Sequence, residues 1–154
     1  MELSNILKPE AVKVISTASS KKRLLHEIGE IANTVYGLDT SRAVDALLER
    51  ESLGPTGVGH GVALPHARVG DVDQVVGVFV MLEKPIEFEA VDRQPVDIAF
   101  ALFAPKEAGV EHLKALARVS RTLRDADVCA KLRANSDPAT LYTILTENQS
   151  AQAV

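Results

Sequence analysis

Apolar positions change rhythm twice along the chain. From Lys21 to Tyr36, Leu24, Leu25, Ile28, Ile31, Ala32 and Val35 recur at helical spacing, with Ser19 and Ser20 before them and Gly37 after. That spacing predicts an amphipathic helix with a polar start and a glycine stop. A second helix is predicted from Asp39 or Thr40, with Val44, Leu47 and Leu48 on one face, ending before Gly54 and Pro55. The short link between them predicts a helical pair. From Gln74 to Leu82 and from Val96 to Ala104, both parities are apolar, as in strands covered on two faces. Ile86 and Phe88 alternate with Glu87 and Glu89, the pattern of a short strand with one wet face. Helical spacing returns at Leu113, Leu116, Ala117, Ser120 and Leu123, from a start near Gly109 or Val110. Val128 and Leu132 predict a short helix after Asp127, and Asp137-Pro138 opens another carrying Leu141, Ile144 and Leu145.

Two helices, a strand-rich centre and further helices predict an α/β sandwich: one domain with a central mixed β-sheet flanked by helices on both sides. Central connections too short for crossover helices exclude strict Rossmann topology. The domain is expected over residues 1–147, with 148–154 a frayed tail.

Composition narrows the classes. A chain of 154 residues, 46% hydrophobic, with net charge −4, is too apolar for disorder and has length for one domain. No apolar run approaches the roughly 18–20 residues of a membrane span. The acidic balance argues against general nucleic-acid binding. The single Cys129 has no internal disulfide partner, and the start lacks the segments of a secretory signal, so a cytoplasmic protein is expected. No exposed apolar stripe stands out, and a monomer or weak oligomer is the simpler expectation.

Chemistry concentrates in Thr56-Gly57-Val58-Gly59-His60-Gly61-Val62-Ala63-Leu64-Pro65-His66-Ala67-Arg68. Val62 stands where a dinucleotide fingerprint needs its third glycine, and no Gly-Lys-Ser/Thr closes a P-loop. The glycines fit a surface turn or a close approach by phosphate. His66 follows a proline that defines its backbone, and a neutral imidazole can accept a phosphoryl group and give it up. A turn histidine bonded to a carbonyl is the plainer alternative. His112, in the first turn of the third predicted helix, either faces solvent or meets an anion at the helix N-terminus. Arg50, near the end of the second helix, either complements the helix dipole or pairs with a phosphoryl group. Arg68 is expected to contact solvent, His60 to be exposed in its loop, and His26 to face solvent. No HExxH, cysteine pair or G-x-S-x-G elbow supports a zinc or serine-hydrolase site, and no metal is expected.

The run Leu47-Leu48-Glu49-Arg50-Glu51, then Thr56 through His66, resembles the active-site signature of phosphotransferase-system (PTS) IIA domains of the fructose/mannitol type, most of all their nitrogen-regulatory branch. Leu3-Ser4-Asn5-Ile6-Leu7 and Glu111-His112-Leu113-Lys114-Ala115-Leu116-Ala117-Arg118 extend the resemblance almost end to end. It implies an α/β sandwich, His66 as phosphoacceptor through its tele nitrogen, and Arg50 and His112 as active-site partners. Thr56, Gly57, Gly59 and Gly61 are the implied phosphate or loop contacts. The implied donor is an HPr-like phosphohistidine carrier, the implied output regulation of target proteins by phosphorylation state, and no cofactor is required. A sugar-transport IIA serving a separate IIB, or a module that binds without transferring, are the alternatives. His60 and Ala67-Arg68 depart from relatives, which often carry Asn or Asp and Gly-Lys there.

Overall fold

The computed structural model describes residues 2–152, with side chains described through Glu147. The tail expected to fray lies outside the described side chains, although the last helix continues to Gln152.

In chain order the elements are β1 (Leu7–Ile15), α1 (Lys21–Tyr36), α2 (Thr40–Ser52), β2 (Gly57–Gly59), β3 (Val62–Ala63), β4 (His66–Val69), β5 (Val76–Ile86), β6 (Val96–Pro105), α3 (Val110–Leu123), α4 (Ala126–Arg133) and α5 (Pro138–Gln152). The sheet has six strands in the order β1-β5-β6-β3-β2, with β4 also paired to β6. It is mixed: β5 and β6 run antiparallel, while β1 is parallel to β5, and β3 and β4 are parallel to β6. Helix α1 packs on β5 and β1, α2 on β4, α3 on β6 and α5 on β1. That cover explains why Val76–Leu82 and Ile98–Ala104 are buried on both parities.

The predicted helices form for the predicted reasons. The Ser20 side chain accepts from the Arg23 amide, and Gly37 closes α1 at φ 77°. Asp39 caps α2 through the Arg42 amide. For α4 the cap is Asp125, two residues before the Asp127 expected to precede it; its carboxylate accepts from the Asp127 and Val128 amides.

Two readings of the chain need correction. Strand β1 was hidden because Lys8-Pro9-Glu10 breaks its apolar pattern. It occupies the sheet edge with an irregular register between Leu7 and Val12, where a proline is tolerated. Tyr36, the last residue of α1, bridges that irregularity: its hydroxyl accepts from the Lys8 amide and donates to the Gly77 carbonyl, at 3.0 and 2.8 Å. Burial pushes this phenol up to about 12, so it stays a donor. The second correction concerns Glu87–Ala90. Ile86 is the last residue of β5, and the following segment leaves the sheet. Ile86, Phe88 and Ala90 are buried and Glu87 and Glu89 exposed, so the alternation of burial holds, but Glu89 takes φ 59°, outside the strand region, and the segment is irregular rather than a strand.

Candidate functional site

The backbone around His66 is held at several points. His66 opens β4 opposite Leu102 of β6, and the Pro65 carbonyl accepts from the Leu102 amide at 2.9 Å. One residue earlier, the Leu64 amide donates to the Thr56 carbonyl at 2.8 Å. The half-buried ring therefore projects from a defined main chain.

Its orientation is set by a single bond. Nδ1 of His66 lies 2.9 Å from the Leu64 carbonyl oxygen. A carbonyl only accepts, so Nδ1 carries the proton and Nε2 keeps its lone pair. Burial lowers the ring's affinity for a second proton; the Leu64 bond acts against this, the Arg50 charge adds to it, and Glu51 opposes it. The result is a neutral imidazole with Nε2, the tele nitrogen, unspent.

His112 comes from the first turn of α3, and its ring centroid lies 5.6 Å from that of His66, tilted by 48°. It is 7% exposed rather than solvent-facing, and its Nδ1 has no hydrogen-bond partner among the described residues. Burial, then the nearby His66 and Arg68 charges, lower its pKa. Arg50, from the last turn of α2, donates through Nη1 to the Gly54 carbonyl at 3.0 Å. His66 and His112, predicted from separate stretches of chain, thus stand side by side, and the Arg50 charge is near enough to act on His66.

The other expected contacts separate into two kinds. Thr56 is 3% exposed, with a buried hydroxyl that has no partner among the described residues. The glycines answer to packing. A Cβ on Gly57 would sit 2.7 Å from that of Ala90, so the hairpin lies against the Phe88–Ala90 segment only because it is bare there. Gly59 faces Asp92, and Gly61, at φ 80°, faces Asp97 and the Arg133 guanidinium. His60 between them is exposed, as expected. Its amide donates to Asp92 and its carbonyl accepts from Arg133, which forks onto Asp97. Arg68 is exposed but anchored: it donates to the Ala108 and Lys106 carbonyls, tying β4 to the loop that leads into α3. His26 pairs with Glu30 on the outer face of α1.

Sequence reasoning passed over Glu51 and Lys21. Their side chains meet at 2.6 Å while 5% and 18% exposed, and Glu51 Oε2 also accepts from the Thr56 amide at 3.3 Å. The signal available was slight, a carboxylate directly after Arg50. Among the described residues no group of three or more His, Cys, Asp or Glu side chains is placed to hold a metal ion. Cavities of about 840 Å³ beside Pro105 and about 510 Å³ between the β2–β3 hairpin and α4 include none of Arg50, His66 and His112. The cluster lies outside both, and a surface of this kind can react with a group presented by another macromolecule.

Known proteins resemble this chain along most of its length. Residues 5–148 match the family described as "Phosphoenolpyruvate-dependent sugar phosphotransferase system, EIIA 2". A nitrogen regulatory protein of Bradyrhizobium diazoefficiens is 43% identical over 145 residues, covering 94% of this chain and 95% of that one. One from Escherichia coli K12 is 40% identical, covering 97% and 92%. The crystal structure of nitrogen regulatory protein IIA-Ntr from Neisseria meningitidis superposes with a TM-score of 0.85 at 33% identity, covering 94% of this chain and 99% of that one. No helix among the described residues is long and apolar enough to cross a membrane. Matched over residues 5–148 and 40% or more identical to nitrogen regulatory proteins over nearly its whole length, this chain belongs to the EIIA type 2 family of the phosphoenolpyruvate-dependent phosphotransferase system, akin to its nitrogen regulatory proteins.

Proposed function

We propose that the protein is a cytoplasmic phosphoryl carrier of a nitrogen-related phosphotransferase system, charged on Nε2 of His66 by an HPr-like phosphohistidine protein. The observation that carries this is the Nδ1 bond to the Leu64 carbonyl, which leaves Nε2 as the ring's only available nucleophile. In the reaction, the Nε2 lone pair attacks the donor's phosphorus in line. The new P–N bond forms as the donor's P–N bond breaks, and the donor imidazole leaves with that electron pair. Little covalent chemistry falls to the protein, and placement and charge do the rest. Arg50 offers a cation whose charge acts on the ring, and His112, at a helix N-terminus, and Thr56 offer a ring nitrogen and a hydroxyl with no partner among the described residues. Gly57, Gly59 and Gly61 keep the hairpin thin, and their main chain supplies the loop contacts to the phosphoryl group in this reading.

Exposed apolar residues support a protein donor. Leu53 follows Arg50 at the end of α2, and Val110 and Leu113 flank His112; they are 81%, 61% and 63% exposed. Exposed apolar side chains next to two of the site residues in sequence suit a transient partner. The nitrogen regulatory relatives favour an output through regulated target proteins over service to a sugar transporter.

The test is incubation with enzyme I, its HPr-like carrier and phosphoenolpyruvate, followed by mass spectrometry of the tryptic peptide containing His66. An acid-labile phosphoryl group on that peptide is expected, and wild-type protein that stays unlabelled defeats the proposal.

A further inference from the structure

Glu51 is a buried ionisable group whose charge acts on His66 and which has no role assigned so far. A carboxylate taken out of water is costly unless paired, and the Lys21 ammonium supplies the pair at 2.6 Å. That ammonium also lies 4.8 Å from the centre of the Phe88 ring. Buried ion pairs are poor sources of net stability and are better suited to fixing one arrangement among several. The arrangement fixed here can be followed bond by bond. Glu51 Oε2 accepts from the Thr56 amide at 3.3 Å, the Thr56 carbonyl accepts from the Leu64 amide at 2.8 Å, and the Leu64 carbonyl holds His66 Nδ1 at 2.9 Å. The same helix end also controls the turn between them, because the Gly54 amide donates to the Glu51 carbonyl and the Gly54 carbonyl accepts from Arg50.

We propose that Glu51 is the positioning residue of the phosphoacceptor: its carboxylate, clamped by Lys21, anchors the run of hydrogen bonds that ends on His66 Nδ1 and so keeps Nε2 free. This rests on His66 being the acceptor. The run transmits position rather than electron density. At Thr56 and at Leu64 the amide and the carbonyl belong to different peptide units, so resonance does not pass along it. What passes is place: each residue is pinned on one side by the bond before it and pins the next with the other. Glu51 Oε1 has no hydrogen-bond partner among the described residues, and the carboxylate's charge acts on His66.

The test compares wild type, Glu51→Ala and Glu51→Gln in the unphosphorylated protein by ¹⁵N NMR of the His66 ring, with transfer from the HPr-like carrier measured alongside. Wild type is expected as the Nδ1–H tautomer. Glu51→Ala, which removes the acceptor for the Thr56 amide, should mix the tautomers and slow transfer about ten-fold or more. Glu51→Gln keeps an oxygen for that amide and should retain both the tautomer and most of the rate. It should nevertheless titrate His66 at lower pH than wild type, because the anion is gone. A folded Glu51→Ala protein with wild-type tautomer and rate overturns the proposal. Should Glu51→Ala not fold, Glu51→Gln decides: an unmoved His66 titration or a lost tautomer preference overturns it. Wild type that never accepts phosphate defeats the carrier function instead, and the tautomer comparison stays readable.

Discussion

The β5–β6 pair and the segment from Gly54 to Val69 share one sheet but differ in what holds them. In β5 and β6 a long antiparallel ladder is backed by side chains buried on both faces, including Phe79 and Phe100 edge to face at 6.1 Å. The second region has strands of three, two and four residues, too short to define themselves. Short ladders to β6 and a few buried side chains seat it on the sheet, and discrete polar attachments fix the rest: Glu51 to Thr56, Asp92 and Arg133 to the two sides of His60, and Arg68 to the loop before α3. The contrast shows how a carrier site is made. An apolar ladder gives rigidity but buries what it holds. Discrete polar contacts fix a backbone while leaving one face of a ring open to a partner.

The comparison breaks most directly at His66. His66→Ala should abolish phosphoryl labelling while shifting unfolding free energy by only about 1 kcal/mol, the worth of one hydrogen bond and some packing; denaturation beside the labelling assay checks both. Phe100→Ala should do the reverse. It should cost about 3–5 kcal/mol in a urea titration, and whatever remains folded should still take label. Arg50→Ala should leave the fold and slow labelling by about ten-fold or more, since it removes one charge donor and not the nucleophile; a rapid-quench time course reads this. Arg133→Ala frees the hairpin from α4 and should cost about 1 kcal/mol, because the Asp97 pair is partly exposed, with side chains 37% and 19% accessible.

The smallest effect is in pH. His66 and His112 both have folded pKa values below the ordinary histidine value of 6.5, chiefly through burial. The unfolded chain therefore takes up protons first as pH falls. Stability should be flat above about 6.5, decline as pH drops from there towards the folded values, and level off below them. Acceptor activity should persist below pH 6.5, since the folded ring remains neutral there. In His66→Ala the decline should be shallower, and identical pH–stability curves for variant and wild type would contradict it.

Helices and central strands were legible because burial imposes a period: 3.6 residues in α1, α2 and α3, and continuous apolar runs in β5 and β6. The site was legible in part. Pro65-His66 and Arg50 stand out by residue type and neighbours, and the resemblance joined them to His112. The edge strand β1 was not legible, because a strand paired on one side tolerates Pro9 and charged neighbours that erase the pattern. Nor was the Phe88 turn, where a positive φ at Glu89 leaves no mark in hydropathy.

The sequence by itself determined the layered α/β architecture, the chemistry of the glycine segment and the identity of its histidines, because periodicity and residue type are local properties. Only the tertiary structure decided that His112 is buried beside His66, that Nδ1 is the bonded nitrogen, and that Lys21 and Glu51 meet beneath the turn. Those facts depend on distances between residues tens of positions apart, and such distances exist only once the sheet brings the ends of α2, β4 and α3 together.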